Sequence, residues 1–129
     1  MDEIKKILTE SKTIAVVGLS PKEDRPSYRV ATYLKSQGYR IIPVNPNAQE
    51  ILGEKSYPDL RSIPGKIDVV DIFRKSEDVP PIVDEAIQAG AKAVWMQEDI
   101  VNEPAAQKAR SAGLLVVMDR CMLKEHRKL

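Results

Sequence analysis

Short apolar runs alternate with amphipathic stretches along the chain. Ile4, Ile7 and Leu8 recur at helical spacing within residues 2–10, and Thr13-Ile14-Ala15-Val16-Val17 follows as a β-branched run ending at Gly18. The spacing predicts a helix and then a first strand. A continuous apolar run of this kind suits a strand covered on both faces, as parallel strands are. Residues 18–26 are rich in loop formers, and Ser27 offers an N-cap for a helix with the stripe Val30, Ala31 and Leu34, closed by Gly38 at the C′ position. Arg40-Ile41-Ile42-Pro43-Val44 forms a second strand, which Pro43, lacking a backbone donor, places near a sheet edge.

Residues 45–66 read as loop with a short helical turn near 59–63, punctuated by Pro46, Gly53, Pro58, Pro64 and Gly65. A third strand covers 67–73. Pro80 and Pro81 suit the first turn of a helix that runs to Ala89 and stops at Gly90. A fourth strand over 93–96, a helix over 103–112 and a fifth strand over 114–118 complete the pattern, and 124–129 reads as a solvated Lys/Arg-rich tail. Repeated strand-helix-strand units require right-handed crossovers. The expected fold is therefore α/β: a single small doubly wound, Rossmann-like domain over 1–129, with about five parallel strands and helices on both faces.

Composition narrows the function. The chain has 129 residues, 43% of them apolar and 30% charged, with a net charge of +1. That balance excludes intrinsic disorder and gives no general attraction to nucleic acid or anionic lipid. No stretch approaches the roughly 20 apolar residues of a membrane span, and acidic Asp2 and Glu3 are unlike the start of a signal peptide, so the expected location is cytoplasmic. A single cysteine, Cys121, allows no internal disulfide, and with only His126 beside it there are too few soft ligands for a structural zinc.

Ligands of open α/β sheets sit outside the carboxyl ends of the strands, where strand order reverses. The candidates are the residues directly after each strand. Gly18-Leu19-Ser20 precedes a helix N-terminus, where backbone donors and the helix dipole favour a phosphate, and Ser20, Arg25 and Ser27 add hydroxyls and a guanidinium. The competing reading is that Gly18 only relieves a tight turn. The second and third glycines of a dinucleotide loop are missing, and Asn45 stands where NAD enzymes place an acid for the ribose; a neutral Asn45 tolerates a ribose phosphate. Phe73 can stack on an adenine while Arg74 pairs with phosphate, or the pair is a core aromatic and a solvated arginine. Trp95 reads as core, and Glu77-Asp78 and Glu98-Asp99 as solvated loop charges. Cys121 follows the fifth strand beside Arg120, with Lys124 in the same segment; positive neighbours favour the thiolate that attacks disulfides, while an inert packed thiol is the alternative.

At these residues the chain resembles the CoA-binding protein family of small stand-alone Rossmann-like domains, related to the CoA-binding domain of the succinyl-CoA synthetase alpha subunit. The matching segments include Ala15-Val16-Val17-Gly18-Leu19-Ser20, Pro43-Val44-Asn45-Pro46, residues 67–74, Val94-Trp95-Met96-Gln97 and Asp119-Arg120-Cys121. The resemblance implies that Gly18, Leu19 and Ser20 hold the coenzyme A pyrophosphate with Arg25 and Ser27 nearby. It implies that Val44, Asn45 and Pro46 border the adenosine, that Phe73 and Arg74 form its far wall, and that Val79 and Gln97 line the path of the pantetheine arm. One departure is Asp99, where the family usually has glycine; it bears on the shape of that loop. The resemblance implies a non-catalytic protein binding coenzyme A or an acyl-CoA. Alternatives from other classes are a thiol-redox protein in which Cys121 exchanges with CoA disulfide, and a nicotinamide-dependent reductase.

Overall fold

The computed structural model describes residues 2–129. A helix, α1 (Glu3–Glu10), opens at Asp2, whose carboxylate accepts from the Ile4 and Lys5 N–H groups at 3.0 and 3.4 Å. The strands are β1 (Thr13–Val17), β2 (Arg40–Val44), β5 (Val69–Ile72), β6 (Ala93–Met96) and β7 (Leu115–Val117), all parallel, in the order β2-β1-β5-β6-β7. The order reverses between β1 and β5, and the carboxyl ends of these two neighbours open a crevice.

Alternation along the strands divides the core into layers. Ala15 and Val17 of β1, with Val70 and Ile72 of β5, pack under α3 (Val79–Gln88) and α4 (Glu103–Ser111), whose Val83, Ala86, Ala105, Ala106 and Ala109 face the sheet. Ile14, Val16, Val69 and Trp95 face the other way, against Ile7 and Leu8 of α1 and Val30, Ala31 and Leu34 of α2 (Pro26–Ser36). Small alanines on α4 let that helix approach closely. Trp95 is fully buried, and its indole N–H donates to the Arg120 carbonyl at 2.8 Å, which satisfies the one polar atom of a core residue. The expected doubly wound α/β architecture is present.

Three local expectations are corrected. The α2 N-cap is Arg25, not Ser27, because Pro26, with fixed φ and no N–H, takes the first helical position and draws Ser27 into the first turn. Residues 45–66 contain a hairpin, β3 (Glu50–Ile51) and β4 (Glu54–Lys55), turning through Leu52 and Gly53 at φ 57° and 73°. Positive φ at both central positions is what a tight hairpin requires, and Leu52 hides that signal in the sequence. The helical turn expected near 59–63 is a hydrogen-bonded turn, in which Asp59 accepts from the Ser62 N–H and hydroxyl at 2.9 and 2.8 Å. A single turn of 3-10 helix, Ser76–Asp78, precedes α3.

The terminal segment is the largest correction. The expected solvated tail carries a helix, α5 (Met122–Arg127), held by its apolar side. Met122 is fully buried beneath it, and Tyr33 of α2 meets His126 Nδ1 through its hydroxyl at 2.8 Å. Tyr33 and Tyr39 both set their rings edge-on to the imidazole. Met122→Ala should therefore cost about 2–5 kcal/mol in urea-induced unfolding, the usual range for emptying a buried methionine site. Unchanged stability would mean that α5 does not share the core.

Candidate functional site

The crevice between β1 and β5 depends on residue 18 having no side chain. Gly18 sits at φ 87°, and a Cβ built there would overlap the Phe73 carbonyl oxygen and press on the Arg74 side chain at 3.0 Å. The Gly18 N–H is held by the Val44 carbonyl at 2.9 Å, and the Phe73 N–H by the Val17 carbonyl at 2.8 Å. The loops after β1, β2 and β5 thus meet at one point.

Side chains then fix the loops. Asn45 Nδ2 donates to the Leu19 carbonyl at 3.0 Å, and Asn45 Oδ1 accepts from the Asn47 N–H at 2.8 Å. The Ser27 hydroxyl oxygen, buried in α2, accepts from the Ser20 N–H at 3.0 Å, while Ser20 Oγ accepts from the Lys22 N–H at 3.1 Å. Leu19 and Val44 are buried as side chains, so only their backbone is available to a ligand, whereas Arg25 and Pro46 are exposed.

A small recess of about 200 Å³ lies at Gly18, Ser20, Arg25, Pro26, Ser27 and Phe73. It shares Pro26 and Phe73 with a larger cleft of about 680 Å³, which Val30, Arg74, Lys75, Asp78, Gln97, Glu98, Asp99, Ile100 and Cys121 also line. The structure thus brings Gly18, Ser20, Arg25, Ser27, Phe73, Arg74, Gln97 and Cys121 to one edge. Val79 is different: as the first residue of α3 it is fully buried in the core and lines neither cavity. Pro46, Asn45 and Val44 lie beside the crevice rather than in its walls.

Charges at the rim are paired loosely. Arg74 is 3.6 Å from Asp78 and Lys124 is 3.0 Å from Glu98, all four side chains at least 40% exposed. Asp99 adopts φ 68°, the left-handed region that favours glycine, and its N–H donates to Asp119 Oδ1 at 2.7 Å. The aspartate therefore keeps a glycine-type backbone in that loop. Cys121 is half-buried, so its thiol belongs to the cleft wall and is not sealed in the core.

Sequence reasoning passed over Asp71. It lies in the middle of β5, fully buried between Val16 and Trp95 of the flanking strands. Its Oδ1 accepts from Gln97 Nε2 at 2.6 Å, and Oδ2 has no hydrogen-bond partner among the described residues. Burial pushes its pKa up to about 7, against a smaller opposing effect of the Gln97 hydrogen bond. The signal was present as one charge in the run Val69-Val70-Asp71-Ile72 of a doubly covered strand.

Fold and cleft together define a Rossmann-like α/β domain with its open site at the strand-order reversal. The chain belongs to the family described as CoA binding domain, which matches residues 12–127. It is 45% identical over 124 residues to the uncharacterized protein YneT of Bacillus subtilis, a match covering 96% of this chain and 92% of that one. It is also 37% identical over 83 residues to the ADP-forming acetate–CoA ligase II of Archaeoglobus fulgidus, covering 63% of this chain but only 12% of the ligase. Among solved structures, a hypothetical protein from Pyrococcus horikoshii OT3 superposes with a TM-score of 0.95 at 47% identity, covering 98% of this chain and 89% of that one.

The buried carboxyl generates a pH-dependence with a definite sign. Between the unfolded value of 3.8 and the folded value of about 7, the native state holds a proton that the unfolded state has released. Stability from this group is full below pH 4 and falls by about 1.4 kcal/mol per pH unit until about pH 7, where it levels off. The stability of the wild type relative to Asp71→Asn should decline over that window in denaturant titrations. A pH-independent difference would show that Asp71 is ionised throughout.

Proposed function

We propose that the protein binds coenzyme A or an acyl-CoA without turning it over, through the 3′-phospho-ADP moiety at the carboxyl edge of the sheet. The observation that carries this reading is the junction at Gly18, where the loop before α2 lies against the end of β5 with Arg25 and Arg74 at its rim. A backbone loop at a helix N-terminus flanked by guanidinium groups suits a pyrophosphate. The adjoining cleft of about 680 Å³ has the size of an ordinary small-molecule site. Membership of a family described as CoA binding domain supports the same ligand.

In this reading the pyrophosphate lies along Gly18, Leu19 and Ser20, where the Gly18 and Ser20 N–H groups are already held by Val44 and Ser27 and fix the shape of the loop that receives it. Val44, Asn45 and Pro46 border the adenosine, Phe73 and Arg74 face it, and the pantetheine arm runs past Gln97 towards Cys121. Asn45, already committed to Leu19 and Asn47, contributes shape and neutrality rather than a new hydrogen bond. The sole histidine, His126, is engaged by Tyr33 and lines neither cavity.

Calorimetry tests the reading. Coenzyme A should bind more tightly than dephospho-CoA, and Arg74→Ala should weaken coenzyme A by roughly tenfold or more, since a charge-assisted phosphate contact is worth roughly 1.5–3 kcal/mol. Equal affinity for the two ligands removes recognition of the 3′-phosphate. Tight NAD binding with hydride transfer would replace the reading with the nicotinamide-dependent reductase.

The position of Cys121 in the cleft wall favours a second reading as a thiol-exchange protein. The Cys121 thiolate would attack one sulfur of CoA disulfide, forming a mixed disulfide and releasing the other CoA as its thiolate, with no net change in oxidation. Intact-mass spectrometry should detect one CoA adduct, reversible by dithiothreitol and absent in Cys121→Ser. Modification of the unfolded protein alone would restrict the function to reversible binding.

A further inference from the structure

The geometry points to Asp71 as the positioning residue that decides which atom of Gln97 faces the cleft, making Gln97 Oε1 a fixed acceptor for an amide N–H on the arm of the ligand. The inference rests on the coenzyme A reading and names what distinguishes the arm from the nucleotide head.

A carboxamide is nearly symmetric in shape, with a donor at one end and an acceptor at the other. Left alone at a cleft wall, it presents either end. Gln97 follows β6 on the same side of the sheet as Asp71, and its Nε2 is held by Asp71 Oδ1 at 2.6 Å. Above the pKa of about 7 the ionised carboxylate only accepts, so it takes the NH2 group and repels the amide oxygen, and the reversed orientation is disfavoured. Gln97 Oε1 has no hydrogen-bond partner among the described residues and is not among the fully enclosed polar atoms. Gln97 lines the cleft, so that oxygen is the end left for a ligand.

The chemistry of coenzyme A completes the argument. Its nucleotide head presents mainly acceptor oxygens, which gain nothing from a second acceptor. Its pantetheine arm carries amide N–H donors. An acceptor fixed on the cleft wall therefore recognises the arm. Once ionised, the carboxyl at position 71 has no donor end, whereas an asparagine keeps one at every pH and could hold Gln97 in either orientation.

The test compares coenzyme A with 3′-phospho-ADP by calorimetry at pH 8, the ratio of affinities reporting what the arm contributes. Asp71→Leu and Gln97→Leu should each lower that ratio by about three- to tenfold, the range for one hydrogen bond. The double variant should lose no more than either single one, because both act through the same acceptor. Asp71→Val, whose side chain suits a covered strand, serves if the leucine variant does not fold by circular dichroism. A purely structural role would weaken both ligands alike and leave the ratio unchanged. A ratio that survives at position 71 but falls in Gln97→Leu, additive losses, or equal affinity of the wild type for the two ligands would each overturn the inference while leaving the nucleotide reading intact. Binding of neither ligand by the wild type overturns the coenzyme A reading itself.

Discussion

The loop after β1 can rest on the end of β5 only because residue 18 carries no side chain. Strand order reverses at this pair, so their carboxyl ends form a crevice that the parallel sheet leaves open. Both requirements fall on Gly18 at once: a positive φ, and a gap at the Phe73 carbonyl too small for a Cβ. Everything around the crevice inherits its position from that contact. Arg74 is carried to the rim by the strand end that touches Gly18, and Ser20 is brought within reach of Ser27 on α2. Gly38, also at positive φ, has open space where a Cβ would lie, and ends a helix without holding two loops together.

A second constraint runs against the first. The doubly covered sheet demands apolar strands, yet β5 carries a carboxyl at its centre with one oxygen unpartnered. A buried charge of this kind is destabilising, and the protein limits the cost by holding the proton towards neutral pH and giving one oxygen to Gln97. A local rule of folding is broken within one hydrogen bond of the cleft, which is where such violations are expected to serve function.

The layered α/β architecture was legible because it rests on periodicity and punctuation. The β-branched run before Gly18 and the stripe Val30, Ala31 and Leu34 specify their elements locally, and Pro43 marked the edge strand, β2. What could not be read depended on partners distant in the chain. The helix α5 is too short to be stable alone and exists because Met122 finds the core and His126 finds Tyr33. Ser27 looked like a cap by its own chemistry, but Pro26 moved the helix start and Ser20 claimed the hydroxyl. Val79 was expected along the ligand path, yet as the first residue of α3 it is buried in the core with Val83 and Ala86 of the same helix. The candidate residues that the structure gathers at this edge lie in the segments that follow strand ends, whereas Asp71, which the sequence reading passed over, is marked by side-chain pairing across strands.

The cleft combines groups already paired within the protein with loosely paired charges at its rim. The Ser27 hydroxyl and the Gln97 amide nitrogen within the cavities, and Asn45 beside them, are already engaged by neighbouring groups, so they hold shape and need little further ordering when a ligand enters. At the rim, Arg74 is shared with Asp78 in an exposed pair at 3.6 Å. Exposed pairs of this kind are worth at most about 1 kcal/mol, less than a charge-assisted contact to phosphate, so an incoming phosphate can displace Asp78 from Arg74 at little expense. Arg25 at the recess and Lys75 beside Arg74 are exposed in the same way. Under the coenzyme A reading, shape is set by groups already paired within the protein, and attraction by exposed cations whose existing pairings are weak.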